Sequence, residues 1–278
     1  MGRWIRNSAL AALLGLAGAL MQAQVSAGAA DLHDTLLAKA TALYDSTAKS
    51  GLRGFDCQVH PDWKLIMASS RKGAAGADDE PRLALVSTAR LTLHARMAGG
   101  STLDWQAPGG GGRPLNDSDR DLLERAHRGI ENTLLGVLKL WMPLVDGSVA
   151  EGLGEEGMTI TPTGAGDTVR SPAGSKEKWL TEEFDRDLLL VRYVAVDAGA
   201  TVDIVPHFQP GPSGLQLADF TAHIKPASGG PASTQEMHVE VEYQAASGEQ
   251  IPAAVNIDVP DVVTMNFKLD GCVVNPPH

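Results

Sequence analysis

The chain has 278 residues, 43% of them hydrophobic, with 34 acidic against 23 basic side chains and a formal charge of −11. That hydrophobic share excludes wholesale disorder, and the length allows one large domain or two small ones. The acidic surplus repels polyanions, so no nucleic-acid partner is expected, and anionic lipid surfaces are disfavoured.

The first residues read MGRWIRNSALAALLGLAGALMQAQVSAGAA. Arg3 and Arg6 precede an apolar run over residues 9–21, and small-x-small triplets end at Ala27 and Ala29. This is the pattern of a secretory signal peptide. The expectation is a protein exported to the periplasm or the extracellular space, with residues 1–29 removed and 30–278 forming one α+β domain. The apolar run is shorter than the roughly 20 residues that span a bilayer. No stable membrane insertion is therefore expected after cleavage. The remaining chain carries 21 basic and 34 acidic side chains, near −13, a charge that keeps an exported protein soluble.

Over residues 31–49, Leu32, Leu36, Ala40, Leu43 and Thr47 fall on one helical stripe. Asp31 is placed to cap this helix, and Asp34 suits the positive end of its dipole. Gly51 and Gly54 break it. Phe55, Cys57 and Val59 then alternate in GFDCQV, the period of a short strand. Pro61 and Asp62 start a short helix carrying Trp63, Ile66 and Met67. Residues 71–81 read as a polar loop. Next, Ala89, Leu91, Leu93, Ala95 and Met97 alternate with Arg90, Thr92, His94 and Arg96, a half-buried strand. Gly99 and Gly100 turn it back into a partner over 101–106. The loop PGGGGRP lacks the GK[ST] ending of a phosphate-binding loop.

A second helix opens with capping residues at 116–118. Leu123, Ala126, Ile130, Leu134, Val137 and Trp141 form its stripe, and Pro143 and Gly147 are expected to end it. At 1.5 Å per residue it is about 37 Å long, so its stripe needs a broad apolar partner such as a sheet. From residue 157 onward strands follow one another: MTITPTG, DTVRSP, KWLTEEF, DLLLVRYVAVD, ATVDIVPHFQ, LQLADFTAHIK, EMHVEVEYQ, AAVNIDV and VTMNFKL. Ala198-Gly199, Gly211-Pro212-Ser213-Gly214 and Ser247-Gly248 separate several of them. Met237, Val239, Val241 and Tyr243 alternate with polar residues, so one face is buried and one wet. The expected fold class is α+β: a large curved antiparallel sheet, an incomplete barrel, packed on two main helices.

That order of elements resembles the periplasmic carriers of outer-membrane lipoproteins. The likeness lies in an N-terminal helix, Leu52 and Phe55 leading into the first strand, an internal helix, and a run of strands including KWLTEEFDRDLLLVRYVAVDAGATVDI. The resemblance implies a curved, incomplete barrel lidded by helices, with a hollow that holds acyl chains. The chain departs from that pattern in its extra C-terminal strands and in Cys272.

Cys57 and Cys272 are the two cysteines, with His60 near the first and His278 near the second. An exported chain with two cysteines is expected to pair them, closing a loop of about 215 residues. Their Cα atoms should then lie within about 7 Å. The alternatives are two buried thiols, a zinc-type site from Cys57, His60, Cys272 and His278, and a Cys57/His60 nucleophile pair. No metal or other cofactor is expected. His207, His223 and His238 fall on three candidate strands and could share a face; the other histidines are scattered.

Enzyme motifs are sparse. No G-x-S-x-G occurs, and no glycine fingerprint follows a strand. Glu155 with Glu156 and Glu182 with Glu183 are adjacent carboxylates, as an acidic chain produces by chance; on a strand, neighbours point to opposite faces. The resulting expectation is a non-catalytic exported binding or carrier protein. Its ligand would be an apolar small molecule or lipid, in a cavity lined by Ile130, Leu134, Val137 and Trp141. The alternatives are a module that binds another envelope protein through sheet edges or the wet face, and an enzyme with an unrecognised site.

Overall fold

The computed structural model describes residues 34–35, 37–39, 41–69, 79–106, 115–145, 157–172, 178–197, 200–226 and 234–276. The expected signal peptide, and Glu155, Glu156 and His278, lie outside the described residues. Helix α1 comprises the helical residues 34–35, 37–39 and 41–43. It is followed by α2 (Thr47–Ser50), β1 (Gly54–Pro61), α3 (Trp63–Ser69), α4 (Asp79–Val86), β2 (Arg90–Arg96), β3 (Thr102–Gln106) and α5 (Asp117–Val145). The strands β4 (Thr159–Pro162), β5 (Gly166–Pro172), β6 (Trp179–Asp185), β7 (Leu190–Asp197) and β8 (Ala200–Pro210) come next. The last four are β9 (Leu215–Pro226), β10 (Gln235–Ala246), β11 (Glu249–Val259) and β12 (Val263–Val274).

All twelve strands belong to one open antiparallel sheet, ordered β3-β2-β1-β12-β11-β10-β9-β8-β7-β6-β5-β4. From β4 to β12 the chain meanders, each strand pairing with the next. Then β12 returns to pair with β1, so the first and last strands are neighbours inside the sheet. Local chemistry sets these turns. Ser247 and Gly248 both have positive φ, the two-residue hairpin turn whose twist matches the strands it joins. In β10, Met237, Val239 and Val241 are buried while Glu236, Glu240 and Glu242 are exposed, as the period of two requires.

The β1–β12 seam carries the disulfide. The pairs Phe55–Val274 and Asp56–Val273 lie in one register, and Gln58–Asp270 and Val59–Leu269 in a register one residue different. Two residues of β12, Gly271 and Cys272, therefore oppose Cys57. Gly271 has φ 56, the left-handed conformation of a glycine bulge. The extra residue switches faces. Leu269 is buried, Asp270 and Gly271 are exposed, and Cys272 turns back inward beside buried Cys57. The two are bridged, with Cα atoms 4.2 Å apart, inside the expected 7 Å.

Helix α5 lies across the inner face. Asn116 Oδ1 accepts from the Asp119 backbone N–H at 2.9 Å, and Asp117 and Asp119 occupy the first turn. At the β3 side, His127 stacks on Trp105 with ring centroids 5.1 Å apart. Further along, Trp141 meets Phe55 of β1 edge-to-face at 6.5 Å and donates through Nε1 to the Tyr243 hydroxyl of β10 at 3.2 Å. His127 to Trp141 covers about 21 Å of helix. From β3 to β10 the sheet is about 24 Å wide at the usual strand spacing. The helix therefore runs across the strands and spans the region centred on the disulfide seam.

Three expectations are corrected. The sheet does not pack on two main helices: α5 is the long one, and the N-terminal helix stops before Tyr44. Tyr44 forms a parallel bridge with Leu215 and is 5% exposed. A new helical turn, α2, starts after Ser46, whose side chain accepts from the Lys49 N–H, and ends at Gly51 with φ 84. Tertiary contacts at Tyr44 outweigh the continuous stripe. Residues 79–81 are not loop but the start of α4, where acidic residues and a proline suit a first turn. Pro143 does not end α5, which runs to Val145. A proline this close to the terminus removes one hydrogen bond, while Leu144 and Val145 stay buried.

Candidate functional site

Tyr44 organises the N-terminal entry to the sheet. Its hydroxyl donates to the Leu188 carbonyl at 2.9 Å and accepts from the Leu190 N–H at 2.6 Å, in the β6–β7 turn. Its ring packs edge-to-face on Phe208 of β8 at 5.0 Å. Burial above all, with the Asp185 and Glu182 carboxylates nearby, pushes the phenol well above its usual range, so it stays protonated. Asp45 follows, and its N–H donates to the Leu215 carbonyl at 2.9 Å. Only glycine fits at position 214. A Cβ there would stand 2.7 Å from the Leu43 carbonyl oxygen and 2.9 Å from the Asp45 nitrogen.

Where this segment meets the end of α5, a cleft of about 70 Å³ opens. Its apolar wall comes from Trp141, Leu144, Phe208 and Leu217, and its polar side from Asp45, Ser46, Gln216 and Tyr243. Ser213 in the β8–β9 turn, and Glu249 and Gln250 at the start of β11, complete the lining. The Asp45 Oδ2 atom is buried and has no hydrogen-bond partner among the described residues. Tyr243 is held protonated by burial first, with the Asp45 charge adding to it.

Of the residues expected to line a cavity, Trp141 lines this cleft. Ile130, Leu134 and Val137 sit one to three turns away, 2%, 0% and 2% exposed, packed in the core. The sequence did not single out Asp45, Phe208, Gln216 or Tyr243 for the cleft. The one local signal for them is Gly214, whose missing side chain lets the N-terminal segment cross the β8–β9 turn.

A second groove, about 320 Å³, lies beside the end of β1 and is lined by His60, Asp62, Trp63, Lys64 and Leu83 among others. Two of its polar side chains, His60 and Asp62, are already engaged. His60 Nε2 is 3.0 Å from Asp270, and Asp62 caps α3 by accepting from the Leu65 N–H at 2.9 Å.

The other chemistry-bearing residues have structural partners. The disulfide uses both thiols, and His60 faces away from them on the exposed side of β1. His207, His223 and His238 do share the outer face of β8, β9 and β10. Each pairs with its own carboxylate: Asp219 at 2.9 Å, Glu236 at 3.8 Å and Glu240 at 3.6 Å. Among the described residues no group of three or more His, Cys, Asp or Glu side chains could hold a metal ion. On the outer face near the seam, Asp56 binds Arg96 at 2.6 Å and His94 at 3.0 Å, and His94 also reaches Asp104 at 3.3 Å. Glu182 and Glu183 point to opposite faces. Glu182 is 0% exposed beside Tyr193, whose phenol is pushed up by burial and by that carboxylate. Glu183 lies outside with Arg192.

No protein-family model matches this chain, and no curated protein matches it.

Proposed function

We propose that the protein is an exported, non-catalytic binding or carrier protein, and that the cleft at the end of α5 is where its ligand docks. The observation that carries this reading is the cleft's composition. An aromatic and aliphatic wall faces convergent polar groups, one of them a buried carboxylate oxygen without a partner. Such a combination is characteristic of small-molecule sites. The carrier reading adds that a longer apolar part of the ligand follows α5 from Trp141 toward Val137 and Leu134, displacing the helix from the sheet. The resemblance of the sequence's element order to the lipoprotein carriers is what suggests that extension.

Native mass spectrometry of the purified protein, with lipid extraction in parallel, tests the reading. The expected result is a bound small molecule that is lost in Ser213→Trp, which fills the exposed rim without touching the core. A protein that carries no adduct, and whose thermal unfolding is unmoved by lipids and small metabolites, would sink it.

A second reading is an envelope-assembly module. It draws on the two edge strands, β3 and β4, each paired on one side in the sheet order. Cross-linking in the envelope followed by pull-down separates the two, and recovery of no partner above background counts against the module.

A further inference from the structure

The cleft's charge is one-sided. Its lining includes the carboxylates of Asp45 and Glu249 and the aromatic rings of Trp141, Phe208 and Tyr243, and among the described residues no Lys, Arg or His. Resting on the reading of this cleft as the ligand site, we propose that the ligand presents a primary ammonium group, seated against Asp45.

Three features converge on that chemistry. The buried Asp45 Oδ2 has no hydrogen-bond partner among the described residues, and a carboxylate oxygen can only accept. The ligand group that completes it must therefore donate, and a charged donor makes the stronger bond. The aromatic wall attracts cations through its ring quadrupoles. Tyr243 adds to this as a neutral group: its hydroxyl accepts from Trp141 Nε1, and its own proton is retained. The surrounding chain is strongly acidic, so an anion is repelled before it arrives.

Size narrows the class. A volume of about 70 Å³ is room for about five water-sized spheres. That suits an ammonium on a stem of two or three carbons, with any larger body projecting through the open rim. A quaternary ammonium carries the charge but has no N–H to give Asp45. A neutral alcohol has the donor but not the charge. The site should rank primary ammonium above both.

The test uses the full purified protein, with tryptophan fluorescence and protein-observed NMR as readouts. The probes are n-propylammonium, tetramethylammonium, n-propanol and propionate. The expected result is saturable binding of n-propylammonium, at least tenfold tighter than tetramethylammonium or propanol, with no binding of propionate. Asp45→Asn, nearly isosteric, should weaken n-propylammonium at least tenfold with unchanged thermal unfolding, and Ser213→Trp should abolish it. Ethanolamine-headed against choline-headed vesicles then tell a lipid-borne ammonium from a soluble amine. Propanol or propionate binding in the cleft as tightly as n-propylammonium overturns the ammonium inference and leaves the cleft reading standing. Probes that bind equally to wild type and Asp45→Asn do the same. If no probe perturbs the cleft, the inference fails. If Ser213→Trp also retains a native adduct, the cleft reading fails with it.

Discussion

At β1 the chain is tied to its own last strand by a covalent bridge, a ladder of paired residues and a helix laid over both. At Tyr44 it is tied to the far half of the sheet by one side chain, through two hydrogen bonds and one ring contact, and by a single backbone bridge to Leu215. The seam closes a loop of 215 residues and acts on the whole chain. The tyrosine acts locally, on the β6–β7 turn and on the wall of the cleft. The seam reaches the cleft through Trp141, which packs on Phe55, and the tyrosine reaches it through Phe208.

The largest effect should come from breaking the seam. Cys57→Ala with Cys272→Ala, or reduction of the bridge, should cost up to about 5 kcal/mol, because a long loop is released in the unfolded chain. Urea unfolding of the oxidised, reduced and double-variant proteins measures this. Tyr44→Phe should cost about 1–3 kcal/mol, since it leaves the Leu190 N–H buried without its acceptor. Its signature should be local: faster amide exchange at Leu190 and at Asp45, with β1 and β12 unchanged. If Tyr44→Phe costs as much as losing the bridge, the two attachments do not differ in kind and the comparison collapses.

Much of this was readable in the sequence because the signals were local. Period-two alternation and turn residues located the strands from β4 onward. The pairing of Cys57 with Cys272 followed from the expected export and from the count of two cysteines. The break at Tyr44 was not readable, because contacts with Leu188, Leu190, Phe208 and Leu215 create it, and all lie more than a hundred residues away. The cleft was hidden for the same reason. Asp45, Trp141, Phe208 and Tyr243 are unexceptional singly and come together only in the fold. Glu182 is an intermediate case. Strand parity put it opposite Glu183, and Leu180 and Phe184 share its parity, which was the available sign that it faces inward.

A smaller change tests how the seam is set. Gly271→Ala places a side chain at φ 56, at a cost of about 1 kcal/mol for a left-handed residue. A Cβ there would meet only the Gln58 side chain, at 3.8 Å, so the cost is conformational rather than a clash. Urea unfolding with and without reductant should show a larger loss in the oxidised protein. The bulge is what brings Cys272 opposite Cys57, and the bridge holds the chain to it. An equal loss in both states would mean that β12 keeps its register without the disulfide.

The smallest effect is electrostatic and bears on whether the two halves also differ on their wet face. Burial alone would raise the Asp56 pKa, but hydrogen bonds from Arg96 and His94 outweigh it and hold the carboxyl below the usual range. Asp203, in the far half, is held low mainly by its hydrogen bond from Arg192, with His223 adding to it. A depressed folded pKa contributes stability that is fully present above the unfolded value, about 3.9 for Asp, and is lost as pH falls through the folded value. Stability of the wild type should therefore fall more steeply below about pH 4 than that of Asp56→Asn or Asp203→Asn. Both sites are partly solvated, so each contributes on the order of 0.2–1 kcal/mol and less at high salt. Chemical unfolding at pH 2.5, 4 and 6 gives the slopes. Equal flattening by the two variants would place the asymmetry of the molecule in the bridge alone. Flattening confined to Asp56→Asn would mean that the outer-face network of Asp56, His94, Arg96 and Asp104 reinforces the same seam that the disulfide closes.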